Sequence, residues 1–121
     1  MEFDPLSLVE DAPLALTDAM LDELNGMLGN DHVPHLPGVN PQAEKLEANR
    51  AVDLVLRQLI DGLRQHPSKR WVLACFQSLL VTQQHRDTEY RDHLGMALEN
   101  IMDVLRMESS DGLLGYYLGG L

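Results

Sequence analysis

The sequence predicts an all-α protein, an antiparallel helical bundle of three long helices plus short N- and C-terminal helices. Three observations carry that expectation. Leu, Ala, Met, Glu, Gln and Arg dominate while aromatic residues make up only 5% of the chain, a mix that favours helix over sheet. Apolar residues recur at helical spacing through long stretches. Proline, glycine and capping residues fall between those stretches. With 121 residues and a hydrophobic fraction of 45%, the chain suits one domain with its own core. Residues 1–16 read as an extended N-terminal arm and residues 17–121 as the single bundle domain.

In the arm, Pro5 and Pro13 interrupt any period, though Phe3, Leu6, Leu8, Val9, Leu14 and Leu16 remain able to pack. Thr17 is a good N-cap and Asp18 suits the positive end of a helix dipole. The first helix therefore spans about Asp18 to Leu28, ended by Gly29-Asn30. His32 to Gly38 is a loop by its prolines and glycine. Asn40-Pro41 starts a second helix, because proline at the first helical position loses no needed donor. It runs to about Gln65, with Asp53 and Arg57 one turn apart, and His66-Pro67 stops it.

The third helix, about Ser68 to Gln83, is apolar nearly all round and is expected to be central, with Trp71 buried. Asp87 or Thr88 caps the fourth, whose core face holds Tyr90, Leu94, Leu98, Ile101, Met102 and Leu105. Asp87 and Arg91 make a second pair one turn apart. Ser109 or Ser110 can cap a short last helix, closed by Gly119-Gly120.

Formal charge is −10, which argues against nucleic-acid or anionic-membrane partners. It is unevenly spread: residues 1–44 hold nine acids and no Lys or Arg, so nearly all the net charge lies in the first third. The longest unbroken apolar run, Trp71 to Phe76, is far short of the roughly 20 residues a spanning helix needs. No basic residue precedes an apolar stretch at the start, so a signal peptide is not expected. The single cysteine, Cys75, excludes an internal disulfide framework and points to a reducing compartment. A cytoplasmic protein is the expectation.

Chemistry-bearing constellations are weak. His32 and His35 flank Val33-Pro34, with Asp31 as the only clustered carboxylate; Glu89 and His93 are one turn apart but lack the two-histidine spacing of a helical zinc motif. Asp53, Asp61, Glu99 and Asp103 could face one another in a bundle, yet no Glu-x-x-His pair accompanies them. Cys75 should be a buried, inert thiol. No nucleophile elbow and no glycine-rich phosphate loop occurs. The expectation is a non-enzyme with no cofactor and no metal. Met96 and Met107 fall off the fourth helix's apolar stripe, where flexible side chains suit a partner surface.

The run Asp87-Thr88-Glu89, then Ile101-Met102-Asp103-Val104-Leu105, then Met107-Glu108-Ser109-Ser110-Asp111-Gly112-Leu113-Leu114, resembles the C-terminal half of small bacterial proteins of an uncharacterised family. Its distinctive part is the ESSDG turn before a short closing helix. The resemblance implies a small helical fold and brings no activity, ligand or site residues.

Size, acidity and missing catalytic motifs together suggest a non-catalytic protein-binding module, such as a bacterial immunity or antitoxin-like inhibitor of a basic protein. The alternatives are a structural or adaptor domain acting through homodimerisation, or a metal- or small-molecule-binding bundle. The expected partner-binding residues are Asp11, Asp18, Asp22, Met96 and Met107.

Overall fold

The computed structural model describes residues 3–38 and 41–119. Among them are five α-helices and no strand. Helix α1 spans Asp18–Met27, α2 Pro41–Gly62, α3 Lys69–Gln83, α4 Thr88–Val104 and α5 Leu113–Leu118. The fold is an all-α bundle of long helices with short terminal ones, as the periodicity predicts. Three N-caps act where capping chemistry places them: the Thr17 hydroxyl accepts from the Met20 amide, the Ser68 hydroxyl from the Trp71 amide and the Asp87 carboxylate from the Tyr90 amide. Each satisfies a donor that the first turn leaves without an intrahelical partner. The Asn40 start signal and Gly120 lie outside the described residues.

The longest helix of the bundle is α2. It packs against α1, α3 and α4, whereas α3 packs against α2, α5 and the N-terminal segment. Val52, Leu56 and Leu59 of α2 and Leu63 just past its end are fully enclosed and meet Leu73, Phe76 and Leu80 of α3 and Leu94, Leu98 and Ile101 of α4 in one core. The expectation that Trp71 and Cys75 are buried on α3 is corrected here, while the helix itself shares the core with α2. One face of α3 is buried, while Trp71 and Cys75 are only partly covered and Val81 is about half exposed. The Trp71 indole lies against Gly62 and stacks on His66, with ring centroids 5.2 Å apart.

Helix α2 stops at Gly62, three residues earlier than expected, and the chain leaves through a turn in which the His66 amide bonds the Gly62 carbonyl. Neither side-chain pair expected one turn apart forms. Asp53 is drawn instead to His32, its Oδ1 lying 2.8 Å from His32 Nε2, and also accepts from the Gly29 amide. Asp87 is engaged as the α4 cap.

Residues 3–16 are extended apart from one 3-10 turn over Pro5–Leu8. They are pinned to the start of α3. The Leu14 amide bonds the Pro67 carbonyl, the Lys69 amide bonds the Ala12 carbonyl, and the Arg70 guanidinium donates to the Val9 carbonyl at 2.6 Å. Val9 is buried in the common core.

Candidate functional site

A cleft of about 670 Å³ lies between α4 and the turn that leads into α5. Its first wall is the outward stripe of α4: Met96, Glu99, Asn100 and Asp103, spaced three and four residues apart and so stacked along one face. The next part follows from how α4 ends. Arg106 adopts a left-handed backbone, φ 58°, its amide bonding the Asp103 carbonyl while the Met107 amide reaches back to the Met102 carbonyl. This paired pattern is the Schellman motif, which brings the residue after the left-handed one against the last turn of the helix. Met107 is consequently folded in beside Met102 and is only 6% exposed.

That burial corrects the sequence expectation for Met107. The helical wheel continued α4 past Val104 and turned Met107 outward, whereas the capping turn reverses the chain there. Met107, Met102 and Leu114 are the buried floor of the cleft, and Met96, 50% exposed, stands on its rim.

The remaining wall is the ESSDG turn. The Ser109 hydroxyl accepts from the Asp111 amide and the Ser110 hydroxyl from the Leu114 amide, so both serines order the approach to α5. The residue at the N-cap itself is Gly112, in the left-handed region at φ 90° with no side-chain cap. Asp111, also left-handed at φ 54°, turns its carboxylate away to bond Lys69 Nζ at 2.8 Å and the Glu10 amide at 3.0 Å. These bonds hold its carboxyl below the ordinary carboxylate range, chiefly through Lys69. The turn is thereby fixed to α3 and to the N-terminal segment.

The lining combines thioether and aliphatic surface with three carboxylates, Glu99, Asp103 and Glu108, and no basic side chain. Carboxylates on the rim of an apolar floor set up a negative potential over a surface able to seat apolar groups.

The family model for Domain of unknown function (DUF4844) matches residues 21–121. The chain belongs to the DUF4844 family. No curated protein and no solved structure matches it. Every residue lining the cleft lies inside the DUF4844 domain, whereas Asp11 and Asp18 precede the matched region.

Of the residues expected to bind a partner, the structure brings Met96 and Met107 to one cleft and leaves the three aspartates apart from it. Asp11 accepts from the Arg70 amide in the first turn of α3, which lowers its pKa, and so serves the fold. Asp18 forms an exposed 2.7 Å pair with Arg64. Asp22 is exposed on α1. Glu99 and Asp103, weighed from the sequence as inward-facing metal ligands, face the cleft from an exposed stripe. Glu108 was legible only as the first letter of the ESSDG turn.

The histidine and cysteine groups weighed as chemistry-bearing assemble no second site among the described residues. His32 Nε2 is taken by Asp53, and the Glu89–His93 contact is a long 4.0 Å. Among the described residues no cluster of three His, Cys, Asp or Glu is placed to hold a metal ion. Burial raises the pKa of the half-covered Cys75 thiol. Burial also pushes the Tyr90 phenol up to about 12, with Arg86 stacked 4.0 Å above its ring.

Proposed function

We propose that the protein is a non-catalytic protein-binding module whose docking surface is the cleft between α4 and the ESSDG turn, and that its partner presents a basic segment. The observation that supports this reading is the lining: buried Met102, Met107 and Leu114 under Glu99, Asp103 and Glu108, with no basic side chain among them. Methionine surfaces adapt to varied apolar anchors, and unopposed carboxylates steer a cationic partner and fix its register. A role as an inhibitor that neutralises a basic protein in the bacterial cytoplasm, in the manner of an immunity protein or antitoxin, fits this surface. The free Cys75 thiol suits such a reducing setting.

The test is a nuclear magnetic resonance titration of the labelled protein with an amphipathic Lys/Leu peptide and with its Glu/Leu counterpart. Shift changes should gather between Met96 and Gly115 for the Lys peptide and be absent for the Glu peptide. Changes scattered over the surface, or equal for both peptides, would remove the cleft as the docking surface.

A further inference from the structure

Five of the nine bases of this acidic chain are engaged within it. Lys45, Arg64, Lys69 and Arg86 are ion-paired with Asp31, Asp18, Asp111 and Glu47, and Arg70 bonds the Val9 carbonyl. Of the other four, Arg50, Arg57, Arg91 and Arg106, the first two share one helix. Both are exposed on α2, and among the described residues neither has an ion pair. They fall on one stripe with two exposed leucines, Leu46 at 52% and Leu54 at 58%, in the order Leu46, Arg50, Leu54, Arg57. Steps of four, four and three residues keep that stripe on one side of the helix. From Leu46 to Arg57, α2 thus turns a basic and apolar edge to solvent, ended one turn further on by the exposed Asp61, on a molecule whose net charge is −10.

This edge is the chemical complement of the cleft. The cleft offers carboxylates around a methionine floor; the edge offers two guanidinium groups either side of a leucine. At 1.5 Å per residue, Arg50 and Arg57 are about 10 Å apart along α2, and Glu99 and Asp103 about 6 Å apart along α4. Arginine side chains are long enough to close that difference while Leu54 points between them. No α2 residue lines the cleft, so one chain does not satisfy itself in this way.

We infer that the α2 edge of one copy docks in the acidic cleft of another, so that the occupant of the cleft is a second copy of this chain. The inference rests on the reading of the cleft as a docking surface for a basic segment. The two patches are different surfaces, so the contact is heterologous: it propagates head to tail or closes into a ring, rather than pairing two copies symmetrically. It is also salt-sensitive, because exposed charges are screened within a Debye length.

Sedimentation equilibrium of the full chain tests this. At about 20 mM salt the mean mass should climb with concentration past twice the chain mass, and at about 500 mM salt it should return to that of one chain. Two variants separate the surfaces: Arg50→Gln with Arg57→Gln leaves the cleft intact, and Glu99→Gln with Asp103→Asn leaves the edge intact. Each should remain a single chain by itself, with an unchanged melting temperature. Mixed, they should form a complex of one copy of each and grow no further, since only one complementary pair of surfaces remains. The inference is overturned by a single chain at all concentrations in low salt, by growth that stops at twice the chain mass, or by a mixture that forms no complex. The Lys/Leu peptide titration keeps the two failures apart. A peptide-binding cleft on a chain that never self-associates rejects only the second copy, while a cleft that binds neither rejects both readings.

Discussion

Asp111 and Lys69 meet at 2.8 Å although one lies in the turn before α5 and the other opens α3. The same carboxylate accepts from the Glu10 amide, so one side chain fastens three parts of the chain that are distant in sequence. The contact also explains the acidic residue of the ESSDG turn. A left-handed backbone at this position is tolerated best by Gly, Asn and Asp, and of these only Asp brings a charge for Lys69.

Asp111→Asn keeps the shape and the backbone preference and removes the charge. A hydrogen bond to a charged group contributes about 1.5–3 kcal/mol when well shielded, and partial exposure here lowers the expected loss to about 1 kcal/mol. The carboxyl's pKa is depressed in the folded protein, so its contribution is present above the ordinary carboxylate value and fades as pH falls through the folded one. Urea midpoints should therefore separate parent and variant near neutrality and converge below pH of about 4. A constant separation down to low pH would show that the charge is not what Asp111 contributes.

Gly62 is where α2 ends and where the Trp71 ring passes. A Cβ built there would lie 2.5 Å from Trp71 Cη2 and 2.6 Å from Cζ2, and the ring is also held by its stack with His66. Alanine improves helix propensity by about 1 kcal/mol, but overpacking costs about 1–3 kcal/mol. Gly62→Ala should thus lose about 1 kcal/mol or more, and the same change in a Trp71→Leu background should lose nothing. Equal effects in both backgrounds would mean that the indole does not set the need for glycine. The sole tryptophan also makes its own fluorescence a readout.

Local chemistry made the elements legible. Thr17 and Asp87 cap the helices that their positions announced, and Ser68, read as the first residue of its helix, caps it instead, because a cap is decided within four residues. What depends on the third dimension was not legible. Asp11 reads as one more acid in a charged arm until the arm docks and its carboxylate meets the Arg70 amide. Asp53 looks committed to Arg57 one turn on, yet the loop delivers His32 to it. The cleft was half visible: Met96, Glu99 and Asp103 share a stripe that periodicity shows. Met107 was misplaced because no glycine marks the end of α4. An arginine occupies the left-handed position that a sequence reader expects glycine to fill.

That arginine yields a prediction of its own. A non-glycine residue in the left-handed region costs about 1 kcal/mol, and Arg106 has neither a buried side chain nor an ion pair among the described residues to offset it. Arg106→Gly should raise stability by about 0.5–1 kcal/mol, seen as a higher urea midpoint with an unchanged slope. Arg106→Ala should gain nothing, since alanine keeps the Cβ. Equal outcomes for the two variants would show that side-chain removal, not backbone freedom, governs this turn.

The two methionines paired by sequence reasoning should behave oppositely. Met107 is buried against Met102 by the capping turn, so Met107→Ala leaves a cavity in the floor and should cost about 2–4 kcal/mol. Met96 is half exposed on the rim, and Met96→Ala should alter stability by less than about 0.5 kcal/mol. Binding of the Lys/Leu peptide reverses the order of interest. The rim is where an incoming apolar side chain first meets the protein, so Met96→Ala should weaken binding several-fold in a protein that melts normally. Met107→Leu, which keeps volume and burial, should restore stability to within about 1.5 kcal/mol and leave peptide affinity unchanged. Normal affinity in Met96→Ala would mean that the rim contributes no contact and that the carboxylates alone recruit the partner. Full sensitivity to salt, with affinity falling steadily as ions are added, would then be the only signature left to the cleft.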